Sequence, residues 1–351
     1  MDRISSIRYG NLLIADISMD KISNNAVYDI SLSYQKTAAL TAAIKLDIFT
    51  TIGKHCLSVE QIADVTGGSL RGVRILCDFL CVIGLLEKNT NLYNLSVDAK
   101  RFLDRSSPYC LADTIDFLAA PEIVSLIMDD PPSYVITGGA DGLACISPDN
   151  PVWVKFARAM VPFLSVTAKR TAAFTARKAM HPRKVLDIAA GHGLFGIEVA
   201  SVISDALVMA IDWANVLEVA KKNAELAGLA DRYKTTSGNA FEVDWGNNYD
   251  LILLPHILHY FDQDGCVHLL GKAKDSLSIG GSVFVIDIMP NPDRVSPPEQ
   301  AAFAFLMLAT TPDGDAYTYA EYETMAGAAG LTLADSMQLL PTPQTLLQFR
   351  L

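Results

Sequence analysis

The segment VLDIAAGHGLFGIEVA, residues 185–200, sets Gly191, Gly193 and Gly196 in G-x-G-x-x-G spacing directly after an apolar run that reads as a strand. Glycines at this spacing permit a tight turn and close approach of a ligand, and the helix N-terminus beyond them favours a polar group. Many dinucleotide enzymes share the pattern, so the acids around it decide which ligand fits. Asp212, in VMAIDWAN, ends the next apolar run. A carboxylate there accepts hydrogen bonds from two ribose hydroxyls. Asp187 stands just before the glycines, where it would repel a diphosphate and calls for a cationic neighbour. S-adenosylmethionine (SAM) offers a sulfonium and an ammonium group and carries no phosphate. The alternative for Asp187 is a carboxylate that caps the turn.

A second cluster follows in YDLILLPHILHYFDQD, which carries His256 and His259. A phenol has a pKa near ~10, so a neutral imidazole within hydrogen-bond reach can take its proton. His256 lies nearer the strand end, where it could line a cofactor or substrate pocket. His192, inside the glycine loop, shapes that turn, whereas His55, His181 and His268 read as surface or packing residues. No group of residues shows metal-ligand spacing, so no metal is expected.

These groups need elements to hold them. From Lys184 onward, apolar strands (KVLDIA, LVMAID, YDLILLP, GSVFVIDIM) alternate with helical stretches (GLFGIEVASVI, VLEVAKKNAELAG, CVHLLGKAKDSLS). That alternation predicts a mainly parallel sheet with helices on both faces, a Rossmann-like α/β domain. Ahead of it, WVKFARAMVPFLSVTAKRTAAFTARKA, 153–179, reads as one long helix that Pro162 could kink. Turn signals through 106–150 mark a connecting region. The N-terminal third reads differently. QKTAALTAAIKLDIFT, 35–50, has helical spacing. SVEQIADVTGG reads as a helix capped by Ser58 and Gln61 and ended by Gly67–Gly68. SLRGVRILCDFLCVIGLLEK reads as a longer helix from Ser69, and NTNLYNLSV as a hairpin. Helix, helix, helix, wing is a winged-helix order.

A winged helix often binds DNA, but the third helix offers only Arg71 and Arg74 among apolar residues. With a formal net charge of -11, a polyanionic partner is not expected. The apolar surface over 69–86 instead predicts a homodimer. At 351 residues two domains are expected, 1–106 and 107–351. The longest apolar run, Ala301–Ala309, is about half of the ~18–20 residues that cross a bilayer. Six cysteines without a C-x-x-C pair read as free thiols in a reducing cytoplasm.

Taken together, D-x-x-x-G-x-G-x-x-G, the acid at 212 and YDLILLPHILHYFDQD make the chain resemble the class I SAM-dependent methyltransferases. More narrowly it resembles the small-molecule O-methyltransferases with an N-terminal winged-helix dimerisation domain, from about residue 30 to the end. The resemblance implies that Asp187, Gly191 and Gly193 contact the methionine end of SAM and that Asp212 holds the ribose. Trp213 would flank the adenine, which Asn239, Ala240 and Phe241 would also meet. At 239 the family has an acid, and an amide oxygen is a weaker acceptor there. His259 in LHYFDQD matches the catalytic histidine, and Asp287 in VIDIMP the first acid that orients it. The second acid is missing: Ala316–Tyr317 stand at its place, with Asp315 one residue off. That departure keeps C-methylation, or SAM binding without methyl transfer, open beside O-methylation. Met160, Phe303, Met307 and Thr311, with His256, would line the acceptor site of a small organic substrate. A SAM-responsive DNA-binding regulator is the disfavoured reading of another class.

Overall fold

A computed structural model describes residues 25–351 apart from Ala179; residues 1–24 of the expected N-terminal domain lie outside the described residues. Helices α1 (Asn25–Ser31), α2 (Ser33–Lys45) and α3 (Ile48–Ile52) come first. The single helix expected over 35–50 is therefore two, because Asp47 takes a left-handed conformation (φ 53°) between them. Strand β1 (Leu57–Ser58) leads into α4 (Val59–Thr66), whose Ser58–Gln61 capping box forms as expected and which stops at left-handed Gly67. Helix α5 (Leu70–Val82) starts at Ser69 but is shorter than its apolar run suggests. Gly84 turns the chain at φ 79°, and Leu86 enters β2 (Leu86–Asn89), paired antiparallel with β3 (Leu92–Leu95). Val73, Cys77 and Leu80 of α5 are buried in this unit's own core with Phe49, Ile62 and Tyr93. Part of the apolar surface over 69–86 is thus consumed internally, while Leu70, Ile75 and Val82 stay exposed, as do Val27, Tyr28, Ile30 and Tyr34 of α1 and α2.

Short helices α6 (Val97–Phe102), α7 (Ala112–Leu118), α8 (Pro121–Met128) and α9 (Pro131–Thr137) connect to α10 (Pro151–Arg177), which runs through Pro162. Next come β4 (Lys184–Ile188), α11 (Leu194–Val202), β5 (Leu207–Asp212), α12 (Ala214–Leu226), β6 (Tyr233–Ser237) and β7 (Tyr249–Pro255). The chain ends with α13 (Gln263–Ser276), β8 (Leu277–Ile288), α14 (Pro298–Thr310), α15 (Tyr319–Ala328), β9 (Thr332–Gln338) and β10 (Gln344–Arg350). The large sheet has the order β6-β5-β4-β7-β8-β10-β9. Strands β6, β5, β4, β7 and β8 run parallel, while β10 is antiparallel to both its neighbours. Apolar clusters cover both faces of the sheet. Three strands escaped the sequence reading. YKTTS has no apolar run, and β9 and β10 form an antiparallel edge outside the βαβ alternation.

The strand order reverses at β4, which pairs with β5 on one side and β7 on the other. A crevice opens beyond the carboxyl ends of parallel strands at such a reversal. The glycine loop, Asp212, His256 and Asp287 all stand at those ends.

A roof is added by the loop after α9. Ala140 donates to the Thr311 carbonyl (2.9 Å), and both Gly139 and Gly142 lie against the backbone of Thr310–Pro312 at the end of α14. A Cβ on Gly139 would run into the Pro312 carbonyl oxygen. Gly139→Ala should therefore cost ~1–3 kcal/mol of stability, the scale of overpacking against a part that cannot yield, read as a lowered melting temperature.

Candidate active site

The glycine loop is built to spare the first turn of α11. Gly191 (φ 55°) and Gly193 (φ 77°) are left-handed, and Ala189 (φ 52°) shares that strained region. The helix start has unpaired amides. His192 Nδ1 accepts from Leu194 N–H (3.1 Å), and Asp187 Oδ2 accepts from Gly196 N–H (2.9 Å). Gly196 packs close to the sheet, since a Cβ there would meet Val208 at 2.7 Å.

Asp187 is consequently not where the charge argument put it. Its side chain has no exposure, and it caps the helix instead of facing a cationic ligand. Its Oδ1 has no partner, and burial raises its pKa to about 8 against the Gly196 hydrogen bond, with Asp212 adding to the rise. The turn-capping alternative describes its geometry.

Asp212 does stand at the mouth. Its Oδ2 accepts from Gly191 N–H (2.7 Å) and its Oδ1 from Trp213 N–H (2.6 Å), so the acid and the loop are tied together. Burial pushes its pKa to about 6 against these bonds. Gly238 N–H donates to the Asp212 carbonyl (3.1 Å), which brings Asn239, Ala240 and Phe241 alongside. Asn239 spends its amide oxygen on Phe241 N–H (3.0 Å), and the Phe241 ring lies edge-on to Phe261 at 4.8 Å. Lys272 of α13, which sequence reading passed over, donates to the carbonyls of Ala240 (2.8 Å), Phe241 (2.7 Å) and Val243 (3.0 Å). It holds this loop in place.

On the other side of the reversal, β7 ends at Pro255 and a tight turn carries His259. Its Nδ1 lies 2.7 Å from Asp287 Oδ1 at the end of β8, and both side chains are buried. A carboxylate only accepts, so Nδ1 bears a proton, and in the neutral ring it is Nε2 that carries the lone pair. Asp287 also accepts from Ile288 N–H (2.8 Å), and its Oδ2 from the Tyr322 hydroxyl (2.9 Å). Burial alone would raise the Asp287 pKa, but the adjacent imidazoles and these donors hold it below the usual range. Asp315 is committed elsewhere, to Arg294 at 2.9 Å, and Tyr317 donates to the Phe261 carbonyl. Tyr322 is the residue that braces the acid instead. Its signal was out of reach, because it arrives on α15 from the far side of the dyad. Gly314 also went unnoticed; a Cβ on it would strike the His259 carbonyl.

His256 is left-handed (φ 54°), with Nδ1 3.7 Å from Asp287 Oδ1 and a buried Nε2 without a partner. Burial pushes its pKa down to about 4, the Asp287 charge opposing. Contrary to the spacing argument, His256, His259 and Asp287 do gather within metal-ligand range, their atoms within 4.8 Å of one another. Both Asp287 oxygens and His259 Nδ1 already have protein partners, and His256 Nε2 is the buried atom of the trio that has none.

One cavity of about 300 Å³ joins Gly191 and His192 to His256 and His259. Met160, Phe303 and Met307 line it as expected. Thr311 does not: its hydroxyl donates to the Met307 carbonyl and accepts from Gly314 N–H, and Thr310 faces the cavity in its place. Asp212, Trp213, Asn239, Ala240 and Phe241 lie outside this cavity, on the neighbouring strand ends.

Comparison with known proteins agrees with this layout. Residues 127–332 match an O-methyltransferase domain, and residues 28–105 an O-methyltransferase dimerisation domain. A Nostoc punctiforme protein assigned as an O-methyltransferase shares 44% identity, with a TM-score of 0.88 over 94% of this chain and 99% of that one. The 3-hydroxy-5-methyl-1-naphthoate 3-O-methyltransferase of Streptomyces sahachiroi is 24% identical over 86% of this chain and 88% of its own length. Human N-acetylserotonin methyltransferase has the same fold, with 18% identity and a TM-score of 0.80 over 95% and 99% of the two chains. With its dimerisation domain, its catalytic domain and a relative of this similarity, the chain belongs to the O-methyltransferase family.

Proposed function

We propose that this O-methyltransferase methylates the hydroxyl of a small aromatic acceptor held in the histidine cavity, with His259 as general base. The observation that carries this reading is the buried His259–Asp287–Tyr322 chain, whose one free nitrogen belongs to a residue that lines the cavity. SAM is the methyl donor, and it supplies an electrophilic methyl group on a sulfonium. The residues present suit it. Gly191 faces the cavity, where a Cβ would meet only the Ala189 carbonyl at 3.9 Å and so project into the space a ligand needs. Asp212 keeps free lone pairs for ribose hydroxyls, and Trp213 and Phe241 supply flat apolar surface beside it.

Residue roles follow from position. Met160, Phe303 and Met307 exclude water and hold the acceptor ring, and Phe303 meets His259 edge-on at 4.9 Å. His259 Nε2 is the atom that would hold the hydroxyl proton of the acceptor once SAM has supplied the methyl group and left as its thioether. Asp287 keeps the imidazole in the tautomer that can do so, and Tyr322 fixes the acid. His256 lines the same wall as a neutral group.

The first 106 residues are read as a winged-helix dimerisation unit and 107–351 as linker helices with the catalytic domain. The apolar side chains exposed on α1 and α2 support a homodimer. No helix among the described residues is long and apolar enough to cross a membrane. Buried free thiols at Cys77 and Cys266 support the cytoplasm as the compartment.

His259→Ala should lower turnover ~10²–10⁴-fold while calorimetric affinity for SAM hardly changes. Tyr322→Phe should lose less, ~3–10-fold, because it removes one hydrogen bond of about 0.5–1.5 kcal/mol and acts on the base only through Asp287. A methoxyl signal in the product NMR spectrum checks the atom methylated, and a His259→Ala enzyme with near-normal rate would remove the base from the mechanism.

Asp187 gives a separate, ligand-free test. An acid whose folded pKa is raised stabilises the fold below its ordinary value near ~4 and loses that contribution as pH rises through the folded value. For Asp187 the window ends at about 8. The melting temperature of Asp187→Asn minus that of the wild type should therefore climb from acidic to mildly alkaline pH. A flat difference would mean that Asp187 has the same pKa folded and unfolded, against the rise caused by burial.

Light scattering should give twice the 38.0 kDa chain mass. A monomer at micromolar concentration would count against the dimer.

A further inference from the structure

The wall of the acceptor cavity separates into two zones. Near Asp287 stand the imidazoles of His192, His256 and His259, with nitrogen atoms that can meet a ligand. Further out the polar side chains are already spent on the backbone. Thr114 donates to the Ala159 carbonyl, Trp153 Nε1 to the Ser147 carbonyl (3.2 Å) and Thr310 to the Leu306 carbonyl (2.7 Å). Phe117 and Phe156 close this outer zone edge-to-face at 5.6 Å, with Leu126 and Leu306 beside them. Among the described residues that line the cavity there is no lysine, arginine, aspartate or glutamate. Burial pushes His192 down to about 3 and His256 to about 4, so neither of these supplies a positive charge, and His259 is already paired with Asp287. The full charge nearest the histidines is the negative one on Asp287.

A carboxylate brought into the outer zone, away from the imidazoles and from Tyr260 beside His259, would lose its hydration and gain neither a cation nor a free side-chain donor. Its field would also oppose that of Asp287. We infer that the acceptor is an uncharged phenol whose polar groups are confined to the reacting end, and that acceptors with a carboxylate at the far end are rejected. The inference rests on the proposed acceptor methylation at this cavity and adds the charge state of the substrate.

The test compares two ligands that differ only in charge: 6-hydroxy-2-naphthoate and its methyl ester. Calorimetry on the full chain loaded with S-adenosylhomocysteine reads both affinities. The ester should bind ~30-fold tighter or more, because only the acid must leave its hydration shell unpaired. In Leu126→Arg, with a cation set in the outer wall, the ratio should shrink or reverse; the wild-type comparison decides even if that variant fails to fold. Equal or tighter binding of the acid to the wild type would overturn the inference, and so would an ester that does not bind. Transfer of labelled methyl to the ester is scored separately. Tight, ester-selective binding without methyl transfer would sink the proposed reaction and leave the charge preference standing.

Discussion

A buried negative charge has to be satisfied from all sides, and in this chain that requirement organises the acceptor half of the molecule. Asp287 has no exposure, so its oxygens must find donors within the protein. They find the His259 imidazole, the Ile288 amide and the Tyr322 hydroxyl, which arrive from a tight turn, a strand and a helix. Each donor fixes the element that carries it. The turn after β7 is held by its histidine, and α15 is docked by its tyrosine. The histidine orientation that chemistry needs is therefore a by-product of neutralising one acid.

The donor half follows the same logic with weaker charges. The N-terminus of α11 would leave amides unpaired, and Asp187 and His192 satisfy two of them. Asp212 takes the Gly191 amide, which ties the second strand to the loop. Two acids thus divide the work, one behind the loop and one at its mouth. Both resist ionisation through burial, so opposite charge brought near either of them would be welcomed.

What could be read from the residues follows from how local each feature is. The glycine spacing, Asp212 and the His259–Asp287 pairing sit at ends of apolar strands, and strand ends are visible as pattern. The capping box at Ser58 was visible for the same reason. The capping role of Asp187 is not local, because the Gly196 amide that it accepts from lies nine residues on, in the first turn of the next helix. Thr311 was wrong by one position, which on a helix end turns a wall residue into a cap. Tyr322 and Gly314 carry no local pattern; their roles come from long-range docking of the C-terminal segments. His256, Met160, Phe303 and Met307 were placed in the cavity because the match to family positions survived that docking.

Helix α13 links the two halves. It begins directly after the His259 turn, capped by Asp262 (Gly265 N–H to Oδ1, 2.8 Å), and near its far end Lys272 grips the loop at Ala240–Val243. At about 1.5 Å per residue and about 100° of rotation, a helix acts as a ruler whose graduations also have a direction. Adding or removing one residue between Asp262 and Lys272 would swing the ammonium off its three carbonyls. The spacing between the Ala240–Val243 loop and the His259 turn is thereby set by rigid helical register. A one-residue change inside this helix would move one side of the crevice against the other, whereas the same change in a surface loop would leave both where they are.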